Sequence, residues 1–341
     1  MSFQDDPNSH NRKLEHIKIV TDENTEPFPS SFDTYRLPYK ALPEVDIEKI
    51  DTSTMFFGKK LSFPFVISSM TGGPEKGETI NRNLAEAAEK VKVALGLGSM
   101  RVIIRKPEAK KTFDVRKYCP SVPLFANMGL VQLNYGYGAD EINHLIDAID
   151  ADGIFLHVNP LQEAVQPEGN TNFEGLLSKL EKVLKKINKP VIVKEVGTGI
   201  DGDTARKLFD AGVSWIDVSG TGGTSWAWVE GYRRNDDLGE LFKNEGIPTA
   251  EALLAARKIA GLNLIAGGGI RNGIHIAKAI ALGAKMATAA KPLLGPSLES
   301  SEACYKVIKK MEKELRIAMF ASGSKDLKSL SGAKIVRIHT C

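Results

Sequence analysis

The densest run of groups able to do chemistry is HVNPLQEAVQPEGNTNF, where His157, Asn159, Gln162 and Glu163 crowd together directly after an apolar stretch. Gln162 and Glu163 are neighbours with different capacities: an amide that donates and accepts toward a substrate, and a carboxylate suited to a hard divalent cation. One carboxylate rarely makes a magnesium site unless substrate phosphates complete it. A second group lies in RKLEH, with Arg12, Lys13 and His16 together and Arg12 one helical turn from His16 if the segment is helical. A solvated charged face is the plainer account of such a cluster. Together with Ser99, Met100 and Arg101 it could instead clamp a diphosphate, because arginine matches phosphate oxygens bidentately.

Three glycine-rich or hydroxyl-rich strings offer a second kind of chemistry. SSMTGG, with Ser69, Met70 and Thr71, can line a flat ring or a phosphate, although such a string is more often a plain turn. AGGGIRNGIHIAKAI leads a glycine cluster into a helix and so offers unpaired N–H groups to an anion, and AAKP follows with Ala289 and Ala290. Asn127 and Lys194 each follow apolar residues. A lysine in such surroundings needs a partner: either negative charge on a reduced flavin or the neighbouring Glu195. Strand alternation favours the former, since Glu195 should point to the opposite face.

These residues need a frame. Runs at 65–70, 94–98, 124–129, 153–159, 191–197, 214–220, 263–269 and 285–290 read as strands, separated by segments with apolar residues three and four apart. Eight βα units predict a closed (β/α)₈ TIM barrel of the α/β class, whose active site sits at the carboxyl ends of the strands and whose last two loops commonly bind phosphate. Residues 1–60 carry little periodicity, with prolines at 27, 29, 38 and 43 among them, and read as an N-terminal extension contributing to the site, with the barrel domain at 61–341. The stretch 221–247 is too long and too rich in aromatics and charge for a plain connector and reads as a lid.

Composition excludes other classes. A formal net charge of +3, from 45 basic and 42 acidic residues, leaves no field suited to nucleic acid, so any anion site is local. Three cysteines without a CxxC pair suit reduced thiols, and neither a signal sequence nor a run of about 18 apolar residues is found, so a soluble cytoplasmic protein is expected.

RKLEH, SSMTGG, GLGSMR, NMGLVQ, HVNPLQE, VKEVG, DVSGTGGTSW and AGGGIR, in that order across about residues 12 to 291, resemble the type 2 isopentenyl-diphosphate isomerases. AGGGIR is shared with other FMN barrels, whereas HVNPLQE joined to RKxEH is more specific to this family. The resemblance implies conversion of isopentenyl diphosphate to dimethylallyl diphosphate with FMN, NADPH to reduce it, and Mg²⁺. It implies flavin contacts at Ser69, Met70, Thr71, Ser99, Asn127, Lys194, Ser219 and Thr224, and flavin phosphate at Gly269, Ile270, Arg271, Ala289 and Ala290. Diphosphate contacts would be Arg12, Lys13, His16, Ser99, Arg101, His157 and Asn159, with Met100 beside them in the substrate site. Gln162 would be the catalytic residue, Glu163 the metal ligand, and Trp226 a cap on the flavin or an ordinary packed aromatic. Barrels of this family associate, which implies a homo-oligomer of four or eight chains. The competing expectation is an FMN-dependent 2-hydroxy acid oxidase or a glutamate-synthase-like oxidoreductase. A non-catalytic flavin sensor is a third, disfavoured because it would need none of Arg12, Lys13, Gln162 or Glu163.

Overall fold

Strands buried on both faces must be apolar at nearly every position, and the eight runs picked out above satisfy this. In the computed structural model, which describes residues 9–70 and 75–338, they form β1 (Phe65–Ile67), β2 (Ala94–Gly96), β3 (Leu124–Gly129), β4 (Gly153–His157), β5 (Val191–Lys194), β6 (Trp215–Asp217), β7 (Asn263–Ala266) and β8 (Met286–Ala289). Each pairs in parallel with the next, and β8 returns to β1 through Ala287↔Phe65, Thr288↔Val66 and Ala289↔Ile67, closing the barrel. Most strands stop two or three residues earlier than expected, because the polar and glycine-rich residues that follow leave the ladder to line the carboxyl-end face.

The outer helices carry the spacing that packing on a sheet demands. Glu75–Val91 buries Ile80, Leu84, Ala88 and Val91 and packs on Ser301–Ala321, which answers with Cys304, Ile308, Met311 and Leu315. Side chains that would otherwise compete with helix formation serve as caps: Asp201 accepts from the Thr204 N–H, Asn272 from His275 and Ser300 from Ala303.

Residues before the barrel are more ordered than their prolines suggest. Ser9–Asp22 is a helix lying on the active face, and Tyr35–Arg36 pairs antiparallel with Val336–Arg337. Thr54–Phe56 and Lys59–Leu61 form a hairpin that spans the 60/61 boundary drawn from sequence. Its turn has positive φ at Phe57 (45°) and Gly58 (79°), the two-residue turn whose twist matches a hairpin. The hairpin drives Phe56 and Leu61 into the barrel, where they pack with Phe125, Phe155, Ile192, Ile265 and Met286. Asp152 locks it there, accepting from Lys59 (2.8 Å), Arg116 (2.8 Å) and the Leu124 N–H (2.9 Å). The 221–247 stretch contains two helices, Trp226–Arg234 and Leu238–Leu241; the first, capped by Ser225 and ended at left-handed Asn235, packs on the helices Ser9–Asp22 and Pro160–Val165.

Emptying the position filled by this plug should be costly. Phe56→Ala is expected to lower the unfolding free energy by about 3–5 kcal/mol, read as a shifted urea midpoint.

Candidate active site

A cavity of about 270 Å³ opens at the carboxyl ends of the strands, and every barrel strand supplies a residue at or just beyond its end. Of the site residues expected from sequence, all but two line it. Met100 does not: it is fully buried as the cap of Arg101–Arg105, and its N–H donates to the Asn127 carbonyl at 2.8 Å. Thr71 lies outside the described residues.

The wall begins with a relay of neutral groups. His157, at the end of β4, places Nδ1 2.8 Å from Asn127 Oδ1, while Asn127 Nδ2 donates to Ser69 Oγ at 2.9 Å. Because that amide oxygen only accepts, His157 Nδ1 carries the proton and Nε2 does not. A Cβ on residue 129 would stand 3.2 Å from His157 Nε2, so Gly129 makes room for the ring. Burial, reinforced by Lys194 and Arg101, pulls the imidazole down to about 3, so it stays neutral near pH 7.

The floor is set by a carboxylate that sequence reasoning did not single out. Glu230, on Trp226–Arg234, is fully buried and accepts from Gln162 Nε2 (3.0 Å), His16 Nε2 (2.9 Å) and Arg233 Nη1 (2.6 Å). Burial pushes its carboxyl up, but the bonds from His16, Gln162 and Arg233 prevail and hold it at about 2. Gln162 is thus gripped at both ends, for its Oε1 accepts from Asn159 Nδ2 at 3.0 Å. The same Asn159 amide donates to Glu163 Oε1 at 3.0 Å, and Glu163 Oε2 accepts from the Asn170 N–H at 2.5 Å. Asn159 Oδ1 is buried without a partner among the described residues.

Basic groups gather on the opposite wall. Lys13 donates to the Ser99 carbonyl at 3.2 Å, Arg101 to Asn170 Oδ1 at 3.2 Å, and Arg12 pairs with Glu168 at 3.3 Å. Burial, together with the Arg12 and Arg101 charges, pulls Lys13 down to about 7. Arg233 ties this wall to the floor, reaching Glu168 (2.9 Å) and Glu15 (3.0 Å) besides Glu230. Trp226 lines the cavity and meets His16 edge to face, with centroids 5.1 Å apart.

At the third wall, Lys194 donates to the backbone carbonyl of Glu195 at 2.6 Å, while the Glu195 carboxylate turns into its own loop and accepts from the N–H groups of residues 196–199. Burial lowers Lys194 and raises Asp217, the acid beside it, while each charge favours the other. Beyond them the glycine loops after β6 and β7 close on one another: a Cβ on Gly223 would stand 2.8 Å from the Gly269 nitrogen and 3.3 Å from Arg271 Nη2. Backbone amides and a guanidinium therefore share a concave surface that suits a phosphate. Arg271 and Lys291 face it and share the Glu26 carboxylate, at 2.5 and 3.3 Å. For a metal the described residues offer no group of three acidic, histidine or cysteine side chains. A cation held by Glu163 alone would need phosphate and water oxygens to complete its shell.

Glu230, Arg233, Glu168 and Glu26 carry no local signal, since each is defined by partners distant in sequence. Only the unusual aromatic and charged content of 221–247 pointed toward the first two.

Residues 159–337 match the family model of FMN-dependent dehydrogenases. The backbone is similar to that of a lactate oxidase of Pediococcus acidilactici, with a TM-score of 0.69, 16% identity and coverage of 99% of this chain and 97% of the other, which establishes the fold. Sequence similarity is far greater to the isopentenyl-diphosphate delta-isomerase of Nostoc sp., 46% identical over 333 residues, spanning 96% of this chain and 95% of the relative. The isopentenyl-diphosphate delta-isomerase of Paracoccus zeaxanthinifaciens is likewise 46% identical, over 94% of each chain. On identity of this depth over nearly the whole length, together with the flavin-enzyme barrel, the chain belongs to the type 2 isopentenyl-diphosphate delta-isomerase family.

Proposed function

We propose that the protein converts isopentenyl diphosphate to dimethylallyl diphosphate by a 1,3 proton shift, with reduced FMN and Mg²⁺ bound. The observation that carries this is the joining, in one cavity, of a basic wall at Arg12, Lys13 and Arg101 to an amide, Gln162, held rigidly between Asn159 and Glu230. The reaction adds one proton at the terminal alkene carbon and removes another from C2, so its electron count does not change. Bound and reduced, the flavin would supply the acid and base for these transfers, with NADPH as its reductant.

The chain's own groups bind, orient and exclude water. Arg12, Lys13, His16, Ser99 and Arg101 would hold the diphosphate, with Glu163 carrying the magnesium that neutralises it. Asn127, Ser69, Met70, Ser219, Thr224 and Lys194 would hold the flavin ring, and the amides near Gly269 and Ile270, with Arg271, its phosphate. Trp226 and His16 would wall off the alkyl chain, since positive charge developing on a tertiary carbon is quenched by water. Gln162 would orient the alkene, because a neutral amide is a poor base. On this reading the protein acts in the cytoplasm as a homo-oligomer. An oxidase acting on 2-hydroxy acids is less well supported: the Gln162 amide joined to the basic wall suits an isoprenoid diphosphate better than a 2-hydroxy carboxylate.

The deciding experiment is an anaerobic assay with FMN, NADPH, Mg²⁺ and isopentenyl diphosphate, following dimethylallyl diphosphate and NADPH separately. Product in large excess over NADPH consumed is expected; oxidation matching product one for one, or no product from reduced holoenzyme, would sink the proposal. Glu230→Gln and Gln162→Ala should each lower kcat by roughly 100-fold while flavin is retained, since loss of orientation acts on the chemical step. Lys13 gives a pH signature. It is protonated below about 7 in the free protein, and a bound diphosphate raises its proton affinity. KM should therefore rise with pH above about 7, and Lys13→Met should raise KM about tenfold and remove this dependence.

A further inference from the structure

His275 lies outside the cavity lining, yet it is 5% exposed and contacts the loop that forms one wall. Its Nδ1 is 3.0 Å from the Gly269 carbonyl oxygen and its Nε2 3.0 Å from Asp33 Oδ1. A carbonyl only accepts, so the first bond requires the proton on Nδ1. A trans peptide directs its C=O and the following N–H in opposite directions. Holding the Gly269 carbonyl on the side of the helix Gly273–Ala281 therefore turns the Ile270 N–H the other way, and Ile270 is a cavity residue. Gly268 and Gly269 have φ of 84° and 77°, values at which the loop needs external support to keep one orientation.

We propose that His275 is a positioning residue for the flavin-phosphate subsite: it fixes the Gly269–Ile270 peptide so that the Ile270 N–H faces the phosphate. This rests on the assignment of flavin phosphate to that loop made above. Asp33 Oδ1 lies at the far side of the ring, where it accepts a hydrogen bond only when Nε2 is protonated as well as Nδ1, and the segment carrying it is held to the same helix by Lys278 Nζ, which donates to the Phe32 carbonyl at 2.9 Å. The phosphate loop is thereby braced by the N-terminal segment, through a helix that contacts no ligand itself.

The test compares FMN with riboflavin, which lacks the phosphate, by quenching of flavin fluorescence on titration into the apoprotein. His275→Ala should weaken FMN about tenfold and leave riboflavin affinity unchanged. His275→Asn, whose side-chain amide places a donor near the Nδ1 position, should restore most of the loss, whereas His275→Gln, with its amide near Nε2, should not. Equal weakening of both flavins by His275→Ala would mean a general structural role and overturn the proposal, as would unchanged FMN binding in a folded variant. Failure of the wild-type protein to prefer FMN over riboflavin would instead overturn the assignment of the loop as the phosphate subsite.

Discussion

Glu230 is the charge around which the active face is assembled. A buried carboxylate is stable only if its oxygens are satisfied and its charge balanced, and the groups that do so come from separate parts of the chain: His16 from the N-terminal helix, Gln162 from the helix after β4, and Arg233 from its own turn. With its amide turned so that the nitrogen faces the carboxylate, the orientation its neighbours demand, Gln166 donates to Glu230 at 3.2 Å and accepts from Arg12 at 3.1 Å. Meeting the electrostatic demand of one acid therefore brings the helix Ser9–Asp22, with its basic residues, against the polar end of β4, so the two are not independent modules.

Around that centre the cavity separates charge from neutrality. The basic wall is crowded enough that Lys13 gives up part of its proton affinity to burial and its arginine neighbours. The relay of Ser69, Asn127 and His157 carries no charge. The first region concentrates positive charge, while the second presents only neutral polar groups. Lys194 stands between, its charge balanced by Asp217 rather than by direct pairing with the Glu195 side chain.

How much of this could be read from sequence depends on the range over which each signal acts. The barrel was legible because each strand is a local apolar run; Leu124–Gly129 matches its expected limits, and Val191–Lys194 ends early only because Glu195 leaves the ladder to bind its own loop. Strand-end residues such as His157 and Lys194 were legible for the same reason. Arg12 and His16 were recognisable as a pair one turn apart, but the docking of His16 on Glu230 depends on a separation of 214 residues. The helix Trp226–Arg234 was expected as loop because its apolar positions are interrupted by Glu230 and Gly231, which packing, not pattern, makes interior.

The pairing of Tyr35–Arg36 with Val336–Arg337 also bears on the order in which the enzyme becomes competent during its synthesis. The helix Ser9–Asp22 and the segment after it are synthesised before their partners: Glu230 for His16, the helix beginning at Gly273 for Asp33, and Val336–Arg337 for Tyr35–Arg36. Contacts of such long range form late because the intervening chain must be ordered first. Because β8 ends at Ala289, the barrel can close before Val336–Arg337 is available to pair with Tyr35–Arg36, and the segment ahead of the barrel gains that support only afterwards.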